Sequence, residues 1–172
     1  MMPSKPYSRG FTLVEVLVAV FVLAIGLLGL AGLQAKSLQF NYSAYQRSQA
    51  TILAYDIIDR MRANLGEAQA GNYDITDTAG PPSSTNCQTN SATCGASTMA
   101  SFDLSQWKCA LGTYDANTAC TTFGIKGALL EGVGSVVTNA GVVTVTVKWA
   151  DDRTKESTDN ARKTSFTVST AL

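Results

Sequence analysis

Histidine is absent from this 172-residue chain, which narrows the chemistry its side chains can do. Ser-His-Asp triads, Cys-His dyads and His-ligated zinc are excluded, and so is the commonest general base at neutral pH. An enzyme would have to work through carboxylates, Lys, Tyr or Cys, and the chain has 13 acidic side chains and four cysteines, Cys87, Cys94, Cys109 and Cys120. No Cys-x-x-Cys pair occurs, which argues against a zinc or thioredoxin-like site. Asp151, Asp152 and Asp159 are the best set for Ca²⁺, but they lack EF-hand spacing and read as a charged hairpin tip that keeps a sheet edge soluble. Phosphate-loop, nucleophile-elbow and dinucleotide-binding glycine patterns are missing. The expectation is a protein that is not an enzyme and has no cofactor or metal. Thirteen Lys and Arg balance the 13 acids, so no nucleic-acid partner is expected either.

One carboxylate stands out by its position. Glu15 sits at the mouth of an apolar run, and Val16 to Ala35 follow it without a charge. Twenty helical residues at about 1.5 Å each span about 30 Å, the hydrocarbon thickness of a bilayer. Residues 1–10 carry Lys5 and Arg9 and no acid, the positive flank that stays cytoplasmic. An ordinary cleaved signal peptide has a shorter apolar region and does not open on a carboxylate, which is costly at a membrane edge.

The stretch Arg9-Gly10-Phe11-Thr12-Leu13-Val14-Glu15-Val16 resembles the class III signal of type IV pilins and type II secretion pseudopilins. That resemblance implies cleavage by prepilin peptidase between Gly10 and Phe11, which removes the leader 1–10 with both of its bases. It also implies N-methylation of Phe11 and makes Glu15 the characteristic acid, pairing with the Phe11 amine of an adjacent subunit during assembly. Such pairing has a physical basis, because an unpaired carboxylate is strongly disfavoured in apolar surroundings. Major pilins commonly carry a proline where this chain has Gly32. Gly26, Gly29 and Gly32 are a plausible substitute if the helix melts in a filament.

The elements that must position these residues begin with one long helix. Residues 11–35 read as a transmembrane or filament-core segment and 36–65 as its amphipathic half. In that half Ala50, Ala54, Ile57, Met61 and Leu65 share a face, widened by Leu53 and Ile58. Asp56 and Arg60 form a supportive i, i+4 pair, and Asn64 to Gly66 is a natural stop. Gly26-Leu27-Leu28-Gly29-Leu30 and the shaft residues Asp59-Arg60-Met61-Arg62-Ala63-Asn64 look like the PilV type of minor pilin, the type IV pilus modification proteins.

Residues 66–172 read as a periplasmic head. A loop is expected over 66–100, broken by Gly80-Pro81-Pro82, then a short helix near 101–111 capped by Ser101 or Asp103, with Leu104, Trp107 and Leu111 on one face. Strands are expected near 133–138, 142–150 and 163–170, the second with Val143, Val145, Val147 and Trp149 alternating with polar residues. A charged loop, Asp151 to Lys163, joins the last two. The fold expected is α+β and type IV pilin-like, a long N-terminal helix packed on a small antiparallel sheet. All four cysteines follow the apolar run, and an even count in an oxidising compartment suggests two disulfides. Three connectivities are possible, and Cys87–Cys94 with Cys109–Cys120 is preferred because both close local loops.

The resemblance thus implies a minor pilin that primes pilus assembly and supports twitching motility and adhesion. Its partners would be major and minor pilins, prepilin peptidase, the inner-membrane assembly platform and a tip adhesin. It would sit in the bacterial inner membrane as a single-pass protein before assembly and at the cell surface afterwards. The alternatives are a minor pseudopilin of type II secretion and a membrane-anchored periplasmic binding domain that does not polymerise.

Overall fold

The structure, a computed structural model, describes residues 10–89, 93–151 and 163–172. The chain divides into two units, Met1–Tyr42 and Ser43–Leu172. Helix α1, Leu13–Ala63, contributes to both. It is followed by α2 (Leu65–Gln69), α3 (Ala96–Leu111), α4 (Thr118–Phe123) and strands β1 (Val133–Asn139), β2 (Val142–Ala150) and β3 (Lys163–Ala171).

The first unit consists, among the described residues, of helix and its entry. Every side chain from residue 10 to residue 42 is exposed. A helix apolar all round has no face to turn to water and none to turn to a core of its own, as expected of a segment made for lipid or for neighbouring helices.

The second unit is an α+β fold around one core. The three strands form an antiparallel sheet in the order β1-β2-β3. Val136 faces Val145, and Val145 faces Val168, so branched side chains stack across the strands. The β1–β2 hairpin closes through Ala140 and Gly141, both at positive φ. Two such residues in a two-residue loop suit the right-handed twist of the strands. Strict alternation in β2 turns Val143, Val145, Val147 and Trp149 inward. They meet Ala50, Ala54, Ile57, Ile58 and Met61 of α1, together with Leu104, Trp107 and Leu111 of α3. Trp107 also donates from Nε1 to the Leu53 carbonyl at 2.9 Å, so its one polar atom is satisfied inside the core. Gly134 permits this packing, since a Cβ there would lie 2.6 Å from the Trp107 ring.

Several boundaries differ from those expected. Helix α1 stops at Ala63 rather than Leu65 because Asn64 takes a non-helical conformation (φ −127°, ψ 54°). Its Nδ2 donates to the Ala96 carbonyl at 2.8 Å and to the Tyr73 hydroxyl at 3.2 Å. That break turns Leu65 out of the core face, and it is 42% exposed. The expected loop over 66–100 contains most of α2 and the first turn of α3. Helix α3 starts at Ala96 instead of near 101, with the Gly95 carbonyl accepting from Met99 at 2.9 Å. Neither Ser101 nor Asp103 caps it. Helix α4 was not anticipated, although Asn117 caps it through a bond from the Ala119 amide at 2.9 Å and Gly124 ends it in the left-handed region. Strand β1 runs to Asn139 and β3 to Ala171, one residue past each expectation.

Candidate membrane and assembly segment

Thr12 opens α1. Its hydroxyl accepts from the Glu15 amide at 3.3 Å, and its carbonyl accepts from the Glu15 and Val16 amides at 3.1 and 3.3 Å. Thr-x-x-Glu is the residue pattern of a capping box, and an acid in the first turn is favoured by the helix dipole. This placement gives Glu15 a local reason to sit at a helix start. Among the described residues its carboxylate has no ion-pair partner. Phe11, one turn earlier, is 82% exposed. Gly10 and Phe11 precede the first helical turn in open backbone. Lys5 and Arg9, with the rest of the leader expected over 1–10 up to Gly10, lie outside the described residues.

The apolar helix that follows is long and apolar enough to cross a membrane, and none of its most apolar stretch is buried. Leu28, at 74% exposed, is representative. A Cβ added at Gly26, Gly29 or Gly32 would meet nothing within 4 Å. Packing inside this chain therefore does not explain these glycines.

In the second unit, Cys87 is joined to Cys94 and Cys109 to Cys120. The second pair ties α3 to α4 and is fully buried. The first closes a half-exposed loop. Of the aspartates weighed for Ca²⁺, Asp151 accepts from the Ser43 hydroxyl at 3.1 Å, while Asp152 and Asp159 lie outside the described residues, as does most of the charged loop from Asp151 to Lys163.

Two polar clusters in the head escaped sequence reasoning. Asp103, expected as a cap, is instead buried. It accepts from the Tyr73 hydroxyl at 2.7 Å and from Arg60 at 3.2 Å. Arg60 also reaches Gln106 at 2.9 Å and Asp56 at 3.0 Å, so one guanidinium links two helices. Burial, reinforced by the Asp103 hydrogen bond, raises the Tyr73 phenol above its ordinary value. Lys108 is fully buried and donates to the carbonyls of Thr76 and Gly134 at 2.6 and 2.7 Å. Burial lowers its pKa to about 8, opposed by the nearby Asp77 carboxylate. Asp77 is itself held below its usual range, chiefly by the hydrogen bond from Lys148 at 2.7 Å. With no exposed surface at Lys108, its amine cannot meet a substrate, and the cluster works as a clamp on the strand and loop beside α3. Of these contacts only the Asp56–Arg60 pair was legible from spacing, because the others join distant parts of the chain.

Comparison with known families supplies two adjoining matches. The prokaryotic N-terminal methylation motif matches residues 5–31, and the family described as type IV pilin Tt1218 matches residues 32–105. No curated protein and no solved structure matches the chain. Beside the α+β fold described above, the two adjoining matches show likeness to type IV pilins and to their N-terminal methylation motif over residues 5–105.

Proposed function

We propose that this chain is a minor pilin subunit of the PilV type, whose work is assembly rather than catalysis. Prepilin peptidase would cut between Gly10 and Phe11, and the new Phe11 amine would be methylated. Before assembly the apolar helix would hold the subunit in the inner membrane with its head in the periplasm. In the filament that helix would pack against those of neighbouring pilins, with Glu15 pairing to the Phe11 amine of an adjacent subunit. Priming of pilus assembly at the assembly platform, twitching motility and adhesion, with a tip adhesin as further partner, complete the reading.

The observation that carries this reading is the apolar helix itself. Its most apolar stretch is exposed on every side and entered through Thr12 and Glu15. Such a surface has no stable place in water. The pilin match beyond it favours a pilus over a secretion system. Further support comes from Tyr45, Ile52 and Tyr55, which are 55%, 57% and 47% exposed. At 100° per residue they fall on the side of α1 opposite Ala50, Ala54 and Ile57, where a neighbour could cover them.

Mass spectrometry of the mature N-terminus tests the processing, with N-methyl-Phe11 as the expected product. An intact Met1, or a chain beginning near Gly32, would overturn the pilin reading. Glu15→Ala tests the pairing separately. It should leave processing intact and lower incorporation into filaments at least tenfold, and normal incorporation would remove the pairing from the account.

A further inference from the structure

A groove of about 380 Å³ runs between the segment after Gly80 and the short helix α4. Its size lies at the lower end of small-molecule sites. None of the described residues that line it is charged. Pro81 and Phe123 supply apolar surface, and Phe123 is held edge-on against Phe102 with ring centroids 5.5 Å apart. Around them stand Asn86, Asn117, Thr122 and Ser84.

Each of the two asparagines has its carbonyl end committed and its amide end free. Asn86 Oδ1 accepts from the Gln88 amide at 3.0 Å, and Asn117 Oδ1 accepts from the Ala119 amide at 2.9 Å. The local turn and the helix cap therefore fix both side chains without using either Nδ2, and among the described residues neither Nδ2 has an acceptor. Ser84 lines the same groove but its hydroxyl is shielded from solvent. The lining residues whose hydroxyls a ligand can reach are the exposed Ser83, Thr118 and Thr122.

We infer that this groove binds a short neutral saccharide. Sugar hydroxyls accept from amide NH₂ groups and both donate to and accept from Ser and Thr hydroxyls. The apolar C–H face of a sugar ring suits Phe123 and Pro81. The uncharged wall disfavours anionic ligands, which would lack a countercharge, and cationic ones equally. The groove does not depend on how the chain assembles, so the inference stands apart from the pilin reading.

Saturation-transfer NMR on the full chain in a non-sugar detergent tests it, with maltose, lactose and chitobiose as probes and sialyllactose as the charged control. At least one neutral probe should receive saturation and compete with the other neutral sugars. The variant pair Asn86→Asp and Asn117→Asp keeps both carbonyl-type acceptors, and with them the turn and the cap. It removes the free amide donors and adds negative charge. Affinity should fall at least tenfold with the circular dichroism spectrum and thermal midpoint unchanged. Three outcomes would overturn the inference: no saturation of any neutral sugar, equal binding by the double variant, or preference for a proline-rich peptide at the same residues.

Discussion

The two units use apolar residues in opposite ways. In the first, from Phe11 to Tyr42, Leu, Val and Ile are exposed on every side of α1. In the second, α1 changes character within a few turns: Ala50, Ala54, Ile57, Ile58 and Met61 are fully buried on one face. The backbone is helical in both, so secondary structure does not distinguish them. The arrangement of apolar residues around the helix does. Apolar side chains distributed all round need a surrounding medium or neighbours, whereas a one-sided stripe needs a single partner surface, which the sheet and α3 provide. Stability in the head is thus intramolecular, and that of the first unit is expected to come from outside the chain.

Substitutions can break this contrast in a graded way. Trp107→Ala should cost the head about 3–5 kcal/mol, from lost burial and an unfilled cavity, read as a lower urea midpoint. Leu23→Lys should leave that midpoint unchanged while disfavouring membrane insertion by about 2.5–3.5 kcal/mol, read by carbonate extraction of membranes. If Leu23→Lys unfolds the head, the two units are not independent in stability. The double variant Cys109→Ala and Cys120→Ala should lose about 3 kcal/mol by relaxing the unfolded chain's constraint. The Cys87 and Cys94 counterpart should lose less, because its pair is half-exposed and no core atoms are removed with it.

Titration sharpens the description of the head. Lys108 has a folded-state pKa of about 8 against 10.5 for an ordinary lysine. Between those values the unfolded chain binds more protons, so stability should rise with pH from about 8 upward. Tyr73 acts in the opposite direction. Its raised value means that the unfolded chain ionises first, so stability should fall above pH 10. Urea midpoints across pH 7 to 11 should therefore pass through a maximum. Lys108→Met should abolish the rise and Tyr73→Phe the fall. The smallest effect is expected on the surface. Arg62 pairs with Asp59 at 3.1 Å with both side chains largely exposed, and Arg62→Ala should shift stability by less than about 1 kcal/mol.

Much of the fold was legible because it rests on periodicity. Alternation exposed β2, and spacing exposed the core face of α1 and the Leu104-Trp107-Leu111 stripe, since these patterns record burial directly. Two elements were missed for different reasons. Helix α4 carries its punctuation, Asn117 before and Gly124 after, but six residues are too few for an apolar period to emerge. The first turn of α3 lacks a capping side chain, so its start depends on what surrounds it. Asp103 was misread as a cap because an aspartate near a helix start has that local role available. In the folded head Tyr73 and Arg60 offer it a stronger one.

Amino-acid order alone marks the apolar helix, Glu15 at its mouth and the residues that the methylation motif covers, because these depend on composition and neighbours along the chain. The start at Leu13 behind Thr12, two residues after the expected Phe11, came from the structure. Tertiary structure decides where α1 stops, why Leu65 faces outward, which distant carbonyls hold Lys108 and how Asn86 and Asn117 come to share a groove. Those outcomes turn on contacts between residues far apart in sequence, and hydrogen bonds of that kind form only where the fold has already brought donor and acceptor together.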